Sequence, residues 1–238
     1  MVSDRMAMVL AQLNRGSADG ADGLAHLASA TVAVIVGADG ICAGLGTGAA
    51  GKVLVWGGEP VSTGLEDLQF TLGEGPSREV AAAGIPVLAS DLAGDLVRWP
   101  AFAPAAMDLG ARAVFVFPLR IGVIAVGTML VHRTVPGPLT PGQLTDALAL
   151  ADAVTLALLD RQWPPPDGAD QPCPGWAQPV TYRAEVHQAT GMISVQLGVS
   201  LAEALVRLRA HAWAADRLLA DVAADVVARR LRFDEPER

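Results

Sequence analysis

The sequence predicts an α+β protein, in which an antiparallel sheet with flanking helices is followed by a C-terminal bundle of three helices. Over the first three quarters of the chain, short β-rich runs and helical patterns alternate irregularly, unlike the strict alternation of a parallel sheet. Residues 163–179 then read WPPPDGADQPCPGWAQP, with six prolines and no hydrophobic period. Such stretches form extended spacers. The predicted division is therefore a domain at 10–161, a linker at 162–179 and a domain at 180–235.

Hydrophobic periods predict the elements of the first domain. The apolar segment 113–131 is predicted to be a buried hairpin, because residues 118–122 read as a turn between two β-rich runs. A membrane span would need about 20 residues of largely uninterrupted apolar helix, and no membrane association is expected. Thr140 can cap a helix over 141–161. The remaining predicted elements are helices around 23–36, 65–70 and 77–83, and strands at 40–45 and 53–56.

Three helical patterns follow the linker and predict a small bundle. The first helix covers 182–197 and ends at Gly198. The second helix begins with a capping box formed by Ser200 and Glu203. The third helix ends with arginines. A bundle of this size is marginal alone, so a homodimer held by helices 141–161 and 182–197 is expected. The residues predicted to form the apolar faces are Tyr182, Val186, Ala189, Ile193, Leu201, Leu205, Leu208, Ala212, Val222, Val226 and Val227.

Charge and cysteine content limit the functional classes. Residues 1–178 hold 9 basic and 17 acidic side chains, whereas residues 179–238 hold 8 of each. The first part is thus unsuited to nucleic acid, and the second part permits it. Cys42 and Cys173 are far apart and outside any CxxC motif, and the N-terminus lacks the apolar block of a signal peptide. A cytoplasmic protein without a disulfide framework is expected.

Motifs that would indicate an enzyme are incomplete. Residues 46–52, GTGAAGK, have the spacing of a phosphate-binding loop, but Val53 replaces the required hydroxyl residue and a strand-like run replaces the required helix. A loop between two strands is the preferred interpretation. The four histidines have no metal-ligand spacing, and no GxSxG motif is present. We therefore expect no enzyme activity, no cofactor and no bound metal. Residues 68–80, LQFTLGEGPSREV, are interpreted either as a structural corner or as one wall of a ligand cavity.

Two sets of sequence blocks resemble known domain families. QATGM, GVSLAEAL, LRAHA and DVAADVV, over about residues 183–231, resemble the ANTAR domain, the RNA-binding output module of bacterial transcription antiterminators. LQFTLGEGP, PVLASDL, RWPAF and FPLRIGVIAVGTMLVH, within about residues 10–161, resemble the GAF sensor domain that is commonly joined to ANTAR in actinobacterial proteins. Together they imply a homodimer that binds paired RNA hairpins in a nascent leader and prevents terminator formation. The GAF-like part could take an unidentified small molecule.

The ANTAR resemblance also implies an RNA-binding site. The small residues characteristic of the family are Ala189, Gly191, Ala204 and Ala212, and Thr190 lies beside them. Arg209 falls on a common basic position of the family and would contact phosphate. The chain departs from the family pattern at two positions. Thr190 stands where many ANTAR domains have lysine, and Leu205 stands where many have an aromatic residue. In the GAF-like part, Ser77 stands where related chains often have cysteine, so thiol-based sensing is not expected there.

Gly191 raises a separate question, because glycine inside a helix costs roughly 1 kcal/mol relative to alanine. A smooth surface for the approach of RNA and close packing against another helix both remain open as explanations. Two other functional classes also remain open. One is a DNA-binding regulator, which LLADVAADVVARRL would permit, although this segment exposes mainly Asp225 and terminal arginines. The other is a protein-interaction module.

Overall fold

The computed structural model describes residues 1–18, 24, 27–46, 52–160, 179–215 and 217–233. These residues divide into two compact units, one ending at residue 160 and the other beginning at residue 179. The predicted linker lies outside the described residues except for Pro179, and so do residues 47–51 of the predicted loop, His26 and Cys173.

The first unit is an antiparallel sheet with helices on both faces. Its strands are β1 (Gly40–Leu45), β2 (Val53–Gly57), β3 (Val87–Ala89), β4 (Ala113–Ile121) and β5 (Ile124–Arg133), which pair in the order β2-β1-β5-β4-β3. Its helices are α1 (Asp4–Ala18), α2 (Ser29–Ile35), α3 (Pro60–Leu72), α4 (Pro76–Ala83), α5 (Phe102–Asp108) and α6 (Pro141–Asp160). The predicted α+β class is confirmed.

The hairpin of β4 and β5 confirms the interpretation of residues 113–131 and corrects the position of the turn. The sequence places the turn at residues 118–122, but the strands continue to Ile121 and Ile124, and Gly122 occupies the turn at φ 58°. Pro118 is tolerated within β4 because β3 pairs with β4 only as far as Val116. Beyond that point β4 is an edge strand on one side, where a missing N–H is acceptable.

Strand alternation divides the apolar residues of the first unit between two cores. Phe115 and Met129 belong to the core shared with α1, α2 and α6, whereas Val114 and Leu130 belong to the core shared with α3, α4 and α5. Successive residues of a strand point to opposite faces, so the hairpin supplies both cores. The sheet of the first unit is therefore covered on both faces.

The second unit is a bundle of three helices, α7 (Pro179–Leu197), α8 (Leu201–Ala214) and α9 (Leu219–Val227). Gly198 follows α7 at φ 65°, and the Ser200 Oγ accepts a hydrogen bond from the Glu203 N–H at the start of α8. These observations confirm the predicted helix end and the serine half of the capping box. Leu201 was expected in the core but is 62% exposed, because it occupies the first position of α8, ahead of the turns that pack.

One helix of the first unit is long and apolar. By length and composition, the segment Pro141–Leu159 of α6 could cross a membrane, and α7 with α8 pass the same test only as a pair bent by 105°. In α6, however, Ala147, Leu150 and Val154 are fully buried in the core formed with α1 and the sheet. The Thr140 Oγ1 accepts the Gln143 N–H at 3.3 Å, as the predicted cap requires. Helix α6 therefore packs as a core helix of this unit.

Candidate functional site

Four of the six predicted site residues lie inside the second unit rather than on its surface. Ala189, Ala204 and Ala212 are buried where α7 and α8 pack against each other and against α9. Thr190 is also buried, and its Oγ1 donates a hydrogen bond to the Val186 carbonyl at 2.7 Å. Small side chains allow helices to approach closely. These four residues therefore position the helices, and any contact of theirs with RNA would be indirect in this arrangement.

Gly191 lies on the outer side of α7, next to the buried pair Ala189 and Thr190. A Cβ atom built on Gly191 meets no other residue's atoms within 4 Å, apart from the helix backbone itself. Close helix packing would require a neighbour at contact distance from this position, and the described residues provide none. Within this unit, the geometry favours an open backbone surface over a packing role.

Arg209 lies on α8 and is half-buried, with its Nε atom buried. Its stem lies at the edge of the bundle interior, because Leu205, Leu208 and Ala212 on the same helix are buried. Arg207, on the other side of α8, is also half-buried and pairs with Glu203 at 2.8 Å.

An aromatic residue that sequence reasoning missed stands on the same helix. Trp213 is 74% exposed, whereas Leu205, at the position where the resemblance implies an aromatic residue in many ANTAR domains, is only 3% exposed. A ring at position 205 would therefore lie in the core. The signal for Trp213 was available in the sequence, since this tryptophan falls outside the apolar stripe of α8.

The end of α9 is occupied by an ion-pair cluster. Asp225 accepts hydrogen bonds from Arg217 and Arg230, both at 2.7 Å. These bonds hold the pKa of the Asp225 carboxyl below its ordinary value. Leu219, Val222 and Val226 of α9 are buried. The helix that would have to read DNA bases therefore uses its apolar face for the bundle and its half-buried carboxylate for arginines of the same chain.

The first unit contains a buried polar cluster between β2, α3 and α4. The ammonium of Lys52 lies 2.6 Å from the Glu66 Oε1, and the Ser77 hydroxyl donates to the same carboxylate at 2.9 Å. Gln69 donates to the Ser77 Oγ at 3.1 Å. Gly44 makes room for the Lys52 stem, because a Cβ there would lie 2.3 Å from the Lys52 Cδ. Lys52 precedes strand β2 and serves as an internal ion-pair partner, which agrees with the strand that was predicted after it.

The segment at residues 68–80 forms a structural corner. The Glu74 carboxylate accepts the N–H groups of Ala101 and Phe102 at 2.8 and 2.7 Å. The Glu79 carboxylate accepts the Trp99 indole N–H at 2.8 Å. The carboxylates of Glu74 and Glu79 thus hold the loop before α5 in place by hydrogen bonds. This agrees with the interpretation of residues 68–80 as a structural corner. Ser77 within the segment also belongs to the polar cluster, so the ligand-wall interpretation stays a proposal.

Two further titratable groups lie on the sheet face toward α3. Burial raises the pKa of the Cys42 thiol, so this cysteine is a protonated core residue. Burial also lowers the pKa of His132, whose Nδ1 lies 3.2 Å from the Ser62 Oγ and 3.6 Å from the Glu59 Oε1. Both partners meet the same ring nitrogen, so the three groups do not form a nucleophile–base–acid relay. Across the described residues, no group of three His, Cys, Asp or Glu side chains is arranged to hold a metal ion.

Comparisons with known proteins concern both units. Residues 178–227 match the family model of the ANTAR domain. The chain is similar to the GAF domain of a phosphoenolpyruvate-protein phosphotransferase from Coxiella burnetii, with 16% identity and a TM-score of 0.47 over 65% of this chain and 92% of that chain. It is also similar to the GAF domain of the corresponding Acinetobacter protein, with 13% identity and a TM-score of 0.48 over 66% and 95%. No curated protein matches the chain in sequence.

Proposed function

We propose that the protein is a transcription antitermination regulator, in which a GAF-like sensor controls an ANTAR output domain that binds hairpins in nascent leader RNA. The match of residues 178–227 to the ANTAR domain carries this proposal. The charge distribution supports it, because residues 183–232 hold 7 basic and 5 acidic side chains within an acidic chain. The protein then acts by binding, as a homodimer in the cytoplasm, and the GAF-like unit takes a small molecule not yet identified.

The RNA-binding surface is proposed to centre on Gly191 of α7 and Arg209 of α8. Gly191 offers open backbone for close approach, and Arg209 offers a half-buried cation whose Nε atom lies within the protein. A cation whose side chain is partly ordered by packing loses less conformational entropy on binding phosphate than a freely rotating one. Ala189, Thr190, Ala204 and Ala212 contribute by setting the distance between the two helices.

DNA binding is the weaker alternative. A recognition helix normally presents several polar side chains to base edges. In α9 the outward acid Asp225 is engaged by Arg217 and Arg230, and these arginines would have to leave it before meeting phosphate.

Binding assays with the full chain test the proposal. Hairpin RNA with a randomised loop should bind more tightly than duplex DNA of matched charge. Arg209→Ala should weaken binding about equally across loop sequences and reduce the magnitude of the salt slope by roughly 0.7–0.9, the share of one phosphate contact. Arg207→Ala is the matched control, because it removes the same charge from the other side of α8, two residues away. Equal affinity for both nucleic acids, or none for either, would reject the proposal.

A further inference from the structure

We propose that Trp213 is a stacking platform for an unpaired base of the RNA hairpin. This inference rests on the proposed RNA-binding function and adds a residue that neither the sequence blocks nor the domain match assigns. A tryptophan that is 74% exposed on a regular helix is unusual in a globular protein. Trp99, by contrast, is buried and donates a hydrogen bond to Glu79, and the described residues give Trp213 no comparable contact.

The position of Trp213 on α8 places it beside the proposed phosphate contact. Ala202, Val206, Arg209 and Trp213 are spaced by four, three and four residues, so they form one stripe along the helix. Ala202, Val206 and Trp213 are exposed, and Arg209 is half-buried. Four residues correspond to about 6 Å along the helix axis, a separation that one nucleotide can bridge between its base and its phosphate.

The composition of this stripe favours RNA over a second protein chain. A helix–helix interface requires large apolar residues on successive turns, whereas the stripe offers one valine, one alanine and a cation next to the ring. A nucleotide matches this composition, because it offers an apolar base face to the indole and an anionic phosphate to the positive charge beside it.

A stacking role for Trp213 also accounts for the leucine at position 205, where many ANTAR domains have an aromatic residue. An aromatic residue at position 205 would lie in the interior, because Leu205 is 3% exposed. Trp213 lies two helical turns further along α8 and outside the packed face. This chain therefore carries its accessible ring at a different position on the same helix, and recognition of the loop base is assigned to Trp213.

The test is a thermodynamic cycle between the protein and the RNA loop. A hairpin selected by the full-length wild-type chain from a randomised-loop library is prepared with each loop nucleotide in turn made abasic. Trp213→Ala should weaken binding of the intact hairpin by roughly 5- to 150-fold, the range for one stacked base. At one loop position, removing the base should cost wild type a similar factor and should cost Trp213→Ala almost nothing. Trp213→Phe should retain an intermediate affinity.

Controls separate this inference from the proposed function. Val195→Ala removes another exposed apolar side chain, 85% exposed on α7, and should leave affinity unchanged. Circular dichroism and light scattering on the Trp213 variants check the helix content and the mass. The stacking inference is overturned, and RNA binding stands, if wild type binds the hairpin but Trp213→Ala binds equally well. The same holds if the loss of affinity from Trp213→Ala adds to the loss from base removal at every loop position. If Trp213→Ala changes the mass instead, Trp213 is a protein contact. If wild type selects no hairpin, both proposals fail.

Discussion

Gly191 lies inside α7 without breaking it, and a Cβ built there would meet no atom outside its own helix within 4 Å. Gly191→Ala should stabilise the second unit by up to roughly 1 kcal/mol, because alanine propagates a helix better and the methyl enters open space. The same methyl would obstruct the approach of RNA, so affinity for hairpin RNA should fall while the melting temperature holds or rises. Thermal unfolding and gel shifts on the same preparation measure both effects.

Gly142 provides the matched control for this substitution. It lies in α6, and a Cβ there also meets nothing within 4 Å. Gly142→Ala should therefore be neutral or stabilising and should leave RNA binding unchanged. If Gly191→Ala instead lowers the melting temperature and reduces the free energy of unfolding by the roughly 1–3 kcal/mol typical of overpacking, the glycine serves packing, and the RNA-surface explanation is wrong.

The buried His132 should make stability depend on pH in a defined direction. Its folded pKa lies below the ordinary 6.5 because of burial. As pH falls below about 6.5, the unfolded histidine takes up a proton that the folded one resists, so the free energy of unfolding should decrease. The slope should reach at most about 1.4 kcal/mol per pH unit. Urea unfolding of wild type and His132→Asn at several pH values checks this, and equal slopes in both proteins would contradict it.

At the scale of single residues, the sequence predicts packing better than accessibility. Helical spacing identifies Ala189, Leu208 and Val226 as inward-facing, and all three are buried. It does not reveal that Thr190 would turn its hydroxyl to the Val186 carbonyl. Family resemblance marks which positions are characteristic without distinguishing a residue that touches RNA from one that holds the helices. That distinction requires coordinates.

At the scale of elements, a buried ion pair joins Lys52, the residue before β2, to Glu66 of α3. Lys52→Met would leave the Glu66 carboxylate buried, 3% exposed, without its cation. The expected loss of stability is roughly 3–5 kcal/mol, whereas the double variant Lys52→Met with Glu66→Leu should recover most of it. Arg207→Ala breaks an exposed pair and should cost at most about 1 kcal/mol. Denaturant unfolding compares the three proteins, and equal losses for Lys52→Met and Arg207→Ala would contradict this prediction.

Strongly periodic elements could be predicted from the sequence, and short or unusual ones could not. Helix α6 and strand β1 are found at or within one residue of their predicted limits. Helix α1, strand β3 and helix α5 are absent from the prediction. Strand β3 has three residues, too few to show a period, and it pairs only with β4. The turn of the central hairpin was misplaced because Pro118 suggested a break that an edge position tolerates.

For the molecule as a whole, the homodimer remains a prediction, and the outer face of α6 is where the first unit would contribute to it. Leu148, Leu156 and Leu159 are 42%, 60% and 50% exposed and spaced at helical intervals along that face. Light scattering at micromolar concentration should give twice the mass of 24.5 kDa. Leu148→Gln with Leu156→Gln should shift the mass toward that of one chain. A monomeric wild type would refute the dimer.

The buried position of Lys52 has a practical consequence for chemical labelling. The chain contains a single lysine side chain, and it lies only 9% exposed against Glu66. Reagents that acylate amines can therefore modify one lysine, and they reach it only during moments when the start of β2 separates from α3. The rate of acylation at Lys52, read by mass spectrometry, thus measures how often that side of the sheet opens. Under the proposed function, a small molecule that binds and tightens the first unit would slow this reaction, so the rate at Lys52 would report binding without an added probe.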